Sequence, residues 1–159
     1  MAKVYLICGK ICSGKTTYSA RLCKDHHAVM LSVDEITLAL FGQDAGEMHD
    51  IYTERTKDYL FRKSLEIISA GTNVVLDWGF WTRNERIHAG NFYDSRNIDH
   101  EFHYIDISPE EWKKRIQKRN LSVLEHKTDA YYVDESLAQK FEKIFELPDR
   151  YEIDVWKEQ

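Results

Sequence analysis

The segment Gly9-Lys10-Ile11-Cys12-Ser13-Gly14-Lys15-Thr16 satisfies G-x-x-x-x-G-K-[ST] at every fixed position. Its surroundings narrow the reading further. An apolar, β-rich run, Lys3 to Cys8, precedes it, and a helical pattern marked by Tyr18 and Leu22 follows. Glycines allow a tight turn, so that successive backbone N–H groups and the start of the helix face one point and favour an anion there. The competing reading is a chance glycine-rich turn before an ordinary helix. If the loop cradles phosphates, the contacts fall on Gly9, Cys12, Ser13, Gly14, Lys15, Thr16 and Thr17. Lys15 would then reach the β- and γ-phosphates of a nucleotide, and the Thr16 hydroxyl would ligate Mg²⁺.

The rest of the chain repeats the alternation that the loop begins. Ala28 to Val33, Asn73 to Leu76, Phe102 to Ile107 and, more weakly, Tyr151 to Trp156 read as further strands. Helices are expected over Lys15 to Lys24, Glu35 to Phe41, about Ile51 to Ala70, Asn84 to Asn91, Pro109 to Arg119 and Glu135 to Glu146. Ser108-Pro109-Glu110-Glu111 has the form of a capping box with proline at the first helical position, and Gly71 stands where the long central helix must stop. Such alternation predicts an α/β fold with a mostly parallel sheet, helices on both faces and ligands at the carboxyl ends of the strands. With 159 residues, 43% of them hydrophobic, the chain suits one domain with a full core, taken here as residues 1–159. No apolar run is long enough to span a bilayer, and the short apolar start reads as a strand rather than a signal peptide, so a cytoplasmic location is expected. Three cysteines without a C-x-x-C pair fit a reducing compartment and give no metal site. The net charge of −5 argues against a broad nucleic-acid-binding face, so cations for an anionic ligand must be gathered locally.

Two carboxylates stand at strand ends. Asp34 follows the second strand and suits either a general base that accepts a hydroxyl proton or the N-cap of the helix that begins near Glu35. Val74-Val75-Leu76-Asp77 has the form of a Walker B segment, with Asp77 placed to support Mg²⁺ or to position an acceptor. Trp78-Gly79-Phe80-Trp81 follows directly, and its aromatics suit either a pocket wall, Trp78 above all, or the core. Arg83 and Arg86 are candidate contacts for an anionic substrate, or else solvated charges. Trp112, Arg115, Ile116 and Arg119 share one helix face, so Arg115 and Arg119 could clamp a transferring phosphoryl group. The alternative for these two is a solvated basic face. Periodicity fades after Asn120, and a mobile lid is expected around residues 115–130.

Together these residues resemble the compact P-loop kinases, specifically the small ATP-binding proteins related to chloramphenicol phosphotransferase, zeta toxin, polynucleotide 5'-hydroxyl kinase and gluconate kinase. The resemblance covers nearly the whole chain. It rests on Gly9 to Thr16, Val33-Asp34, the run Val74 to Trp81 with Arg83 and Arg86, and Trp112-x-x-Arg115-x-x-x-Arg119-Asn120. It implies a three-layer P-loop NTPase fold with a five-stranded parallel sheet in the order 2-3-1-4-5 and ATP over the first strand. It also implies that Asp34 activates the acceptor hydroxyl and that Arg115 or Arg119 contacts the ATP phosphates. One departure is that only three residues follow the last expected strand, leaving no final helix to hold a base-binding loop. No N-K-x-D guanine signature occurs. The expected activity is Mg·ATP-dependent phosphorylation of a hydroxyl on a small molecule. Its rivals are a kinase of nucleic-acid 5'-hydroxyls and a nucleotide-binding switch with slow hydrolysis.

Overall fold

All six residues of β1 (Val4–Gly9) are buried. Burial on both faces is the mark of a central strand in a parallel sheet, where helices cover each side. The computed structural model, which describes residues 1–159, places β1 between two parallel neighbours. These are β3 (Asn73–Gly79) and β4 (His100–Asp106). With β2 (Ala28–Ser32) and β5 (Val155–Glu158) at the edges, the order is β2-β3-β1-β4-β5, as the family resemblance implied.

Alternation along the strands sorts side chains between two layers. Val4, Leu6 and Cys8 of β1, with Val74, Leu76, Phe102 and Tyr104, pack against Phe61 of α3 (His49–Ser69) and Tyr93 of α4 (Arg83–Asp94). Tyr5, Ile7, Val75 and Ile105 point the other way, onto Leu22 of α1 (Lys15–His26). A third cluster lies past the ends of β1 and β4, where Cys12 and Ile107 meet Trp112 of α5 (Pro109–Leu124) and Phe141 of α6 (Glu135–Ile144). This third cluster is what holds α5 and α6 beside the carboxyl edge of the sheet.

Several boundaries follow the expected chemistry. Gly71, at φ +81°, takes the left-handed turn after α3 that a Cβ would strain. Ser108 caps α5 by accepting from the Glu111 amide at 3.3 Å, and Pro109 opens the helix. The reciprocal half of that box is missing because the Glu111 carboxylate instead accepts from Arg115 Nε at 3.1 Å. Helix α5 runs to Leu124, so the first ten residues of the expected lid of 115–130 are helix. The remainder falls in the connection 125–134 before α6. The strand Asn73 to Leu76 also extends, through Asp77 and Trp78 to Gly79, and it does so with a bulge. Ile7 pairs with Asp77 but Cys8 pairs with Gly79, which leaves Trp78 opposite no partner and re-aims it. No helix is long and apolar enough to cross a membrane.

Candidate active site

The loop between β1 and α1 is shaped by positions where only glycine fits. A Cβ on Gly9 would lie 2.9 Å from Ser13 Oγ and 3.0 Å from the Ile105 carbonyl. Gly14, at φ +94°, precedes the first turn of α1, so that the helix N-terminus opens towards the loop's centre. Lys15 reaches back over this turn and donates from Nζ to the Lys10 carbonyl at 2.6 Å. Burial pushes its ammonium below the usual lysine range, against the pull of Asp77 and Asp34. The loop therefore concentrates a cation and several N–H dipoles at one point, which is the electrostatic requirement for a phosphate chain.

A cavity of about 120 Å³ opens there, lined by residues 12–17 together with Asp34, Asp77, Trp78 and Arg119. Its size suits phosphates rather than a whole nucleotide, since small-molecule pockets usually measure about 300–1,000 Å³. Strand register explains the carboxylate at its floor: Asp77 of β3 lies opposite Ile7 of β1 and Ser32 of β2 at the carboxyl edge. Thr16 Oγ1 donates to Asp77 Oδ2 at 2.9 Å, while Asp77 Oδ1 is buried without a hydrogen-bond partner. A hydroxyl and a carboxylate with one free, buried oxygen fit Mg²⁺, a hard cation that keeps several waters and takes few protein ligands. No cluster of three or more His, Cys, Asp or Glu side chains offers an all-protein metal cage.

Asp34 is not a helix cap. Helix α2 (Val33–Phe41) starts one residue before it, and the cap is Ser32, whose hydroxyl accepts from the Glu35 amide at 3.3 Å. The Asp34 carboxyl is thus left for the cavity, where burial raises it above the usual aspartate range and the charges of Lys15 and Arg119 partly oppose that rise. Ser32-x-x-Glu35 spells a capping pattern, and that signal in the sequence would have decided between the two roles of Asp34.

The four arginines part company. Arg119 lines the cavity. Arg115, one turn earlier on α5, does not: its Nη1 donates to the Ser13 carbonyl at 3.0 Å, and its other nitrogens face Glu111 and Gln159. It braces the loop from outside, beside Trp112, whose Nε1 donates to the Ile11 carbonyl at 2.7 Å. Arg86 is neither a substrate contact nor solvated. It is buried and paired to Glu152 at 3.1 Å, and it donates to the carbonyls of Phe80 and Glu146 at 3.1 Å each. Arg83 lies away from the cavity, on Tyr151 and near Asp149 at 3.9 Å. Of the aromatic run, Phe80 joins the core while Trp78 and Trp81 line the site.

A second cavity of about 340 Å³ adjoins the first and shares Ile11, Asp34, Trp78, Trp81 and Arg119 with it. The connection 125–134 crosses it and is fixed at both sides by side-chain amides. Gln43 Nε2 donates to the Ala130 carbonyl at 2.7 Å and its Oε1 accepts from the Tyr132 amide at 3.0 Å. Asn120 holds both backbone groups of Val133, at 2.7 and 2.8 Å. The Tyr131 hydroxyl meets Thr37 at 2.7 Å. Gln43, Tyr131 and the Lys57–Glu85 pair at 2.6 Å went unnoticed in the sequence, because isolated polar residues far apart along the chain carry no pattern.

Comparison with known proteins agrees with this fold. A putative kinase from Chloroflexus aurantiacus superposes with a TM-score of 0.75 at 14% identity, over 99% of this chain and 84% of that one. An unliganded sugar kinase from a Janibacter species gives 0.69 at 16%, over 99% and 86%. The APS kinase CysC of Mycobacterium tuberculosis, solved with AMPPNP and APS, gives 0.69 at 15%, over 99% and 88%. At these identities the likeness is one of fold, the P-loop kinase fold. No curated protein matches the chain in sequence. A family model described as an AAA domain matches residues 4–148, which takes in the loop, both strand-end aspartates and Arg119, and the chain belongs to that family.

Proposed function

We propose that this protein is a phosphotransferase that moves the γ-phosphoryl group of Mg·ATP to a hydroxyl of a small molecule. The observation that carries the reading is the position of Asp34, which faces the phosphate-sized cavity and the larger adjoining cavity at once. A base that bridges the two can hold an acceptor hydroxyl against the group to be transferred. Structural neighbours described as kinases support the same class of reaction.

In the proposed step the acceptor oxygen bonds to the γ-phosphorus as the bond to the β–γ bridging oxygen breaks. The hydroxyl proton passes to Asp34, and ADP leaves with the electron pair. A carboxyl raised by burial is the stronger base, and it is more nearly matched to a neutral-pH proton transfer than an exposed aspartate is. Lys15 and the loop N–H groups bind the phosphate chain, and Arg119 offsets the charge that spreads over the transferring group. The Thr16 hydroxyl and Asp77, with its free and buried Oδ1, would hold Mg²⁺. Bound Mg²⁺ would supply neutralisation of the β- and γ-phosphate charge.

The test is Asp34→Asn. Calorimetric affinity for Mg·ATP should stay within a fewfold of wild type, whereas phosphate gain by acceptors in a pooled-metabolite mass screen should fall by about 10² or more. Equal turnover by the variant would remove Asp34 from the chemistry.

A further inference from the structure

The larger cavity has a chemical character of its own. Its walls are largely carbon: Val33, Trp78, Trp81, Val133, Phe141 and Ile144 all face it. Several of its polar groups are bonded within the protein. Both ends of the Gln43 amide hold the backbone of 130–132, and the Tyr131 hydroxyl is bonded to Thr37. Glu85 accepts from the Thr82 amide at 3.0 Å as well as from Lys57.

The charges are spent in the same way. Lys57 is bound between Glu85 at 2.6 Å and Glu54 at 2.8 Å, and Lys140 lies 3.7 Å from Asp50. Of the other basic side chains of the lining, His49 packs edge-on against the Tyr131 ring, and Arg119 stands on the border with the phosphate cavity, where the γ-phosphate would claim it. Asp44 adds a further carboxylate to this lining. An acceptor bearing a carboxylate, sulfate or phosphate would therefore bring its charge beside Asp34, Asp44, Asp50 and Glu85, with no lysine or arginine of the lining left unpaired or unclaimed to meet it. A polyol would lose hydration at several hydroxyls against walls that are largely carbon.

We infer that the acceptor is an alcohol with a broad apolar body, such as an aromatic ring, and with no anionic group; a cationic amine is compatible. Its hydroxyl points to Asp34 and its ring lies against the walls formed by the two tryptophans and α6. The inference rests on the phosphotransferase reading for the role of the hydroxyl, and on the cavity alone for the class of compound.

Binding can be measured apart from turnover. With the full chain loaded with Mg·AMPPNP, 2-phenylethanol and phenylalaninol should bind with Kd of about 1 mM or tighter, as expected of fragments of that size. Glucose, gluconate and an oligonucleotide with a free 5'-hydroxyl should bind at least tenfold more weakly, about 1.4 kcal/mol. Leu137, on the cavity side of α6 and 37% exposed, provides the structural control. Leu137→Glu should weaken the phenyl alcohols about tenfold, whereas Leu137→Met should keep their affinity. Gluconate, glucose or the oligonucleotide binding as tightly as the phenyl alcohols would overturn the inference, as would phenyl alcohols that fail to bind below about 10 mM. Replacing AMPPNP by ATP separates the two readings. Bound phenyl alcohols that gain no phosphate would sink the phosphotransferase reading and leave the compound class standing, and efficient phosphorylation of gluconate would do the reverse.

Discussion

Arg86 shows how little a residue's chemistry says about its task until its surroundings are known. A guanidinium five residues past the aromatic run reads naturally as an anion contact, yet the side chain is 3% exposed and bound to Glu152 and to the Phe80 and Glu146 carbonyls. It ties the connection after β3 to the segment ahead of β5. Removing one partner of such a pair leaves an uncompensated buried charge and several unmet carbonyls. Arg86→Met should therefore lower unfolding free energy by about 3–5 kcal/mol. Denaturant unfolding that shows less than about 1 kcal/mol would mean the pair is dispensable. The residues legible in the sequence were those whose spacing is itself the chemistry: Gly9, Gly14, Lys15 and Thr16 fall at fixed offsets, and Asp34 and Asp77 at strand ends. Arg83, Arg86 and Arg115 were not legible as scaffold, since their partners Tyr151, Glu152 and Ser13 come from elsewhere in the chain.

At the scale of elements, the local grammar of starts and stops carried most of the information, and where it was passed over the boundaries slipped. Thr82-x-x-Glu85 forms a complete capping box at α4, with Thr82 Oγ1 accepting from the Glu85 amide at 3.2 Å and Glu85 Oε2 accepting from the Thr82 amide at 3.0 Å. It starts the helix at Arg83, a residue ahead of the Asn84 expected from periodicity. The same Glu85 also pairs with Lys57 of α3, so one carboxylate both begins α4 and joins it to its neighbour. Thr82→Ala should cost about 1 kcal/mol, with Thr82→Ser close to neutral, by thermal or denaturant unfolding. An alanine variant as stable as wild type would show that the box adds nothing beyond the Lys57 contact. The late end of α5, by contrast, was hidden because Leu121 and Leu124 face solvent and break the apolar period.

For the molecule as a whole, acid should be more damaging than the net charge suggests. Glu85, Glu101 and Glu152 all have carboxyls held below the ordinary glutamate range by hydrogen-bonded cations, Lys57, Lys3 and Arg86, although burial opposes the shift in each. Their contribution is complete above about pH 4.3 and is lost as pH falls through the lower folded values, because the unfolded chain then binds more protons. His103 is pushed below the ordinary histidine range, chiefly by burial, so acidification below about pH 6.5 also favours the unfolded, protonated form. Asp34 has the opposite sign, being raised, and offsets part of the carboxylate loss. The unfolding midpoint should decline as pH is lowered from 7, beginning with His103 and steepening in the range of the glutamates. A midpoint that is flat or rising down to pH 4 would contradict these assignments. The sheet order itself was legible only through the family resemblance, since alternation of strands and helices does not say which strand lies beside which.

That order has a consequence for synthesis. β1 is made well before its partners β3 and β4, with Val4 lying opposite Val74 and His100. The Lys3 amide, just before the strand, bonds to Asn73, 70 positions away. At about 5–20 residues per second, a ribosome needs several seconds to supply the first neighbour. During that interval Val-Tyr-Leu-Ile-Cys, the strand that becomes the least solvated of the molecule, is a nascent apolar edge with nothing to pair to. The phosphate loop that it carries acquires its shape only afterwards.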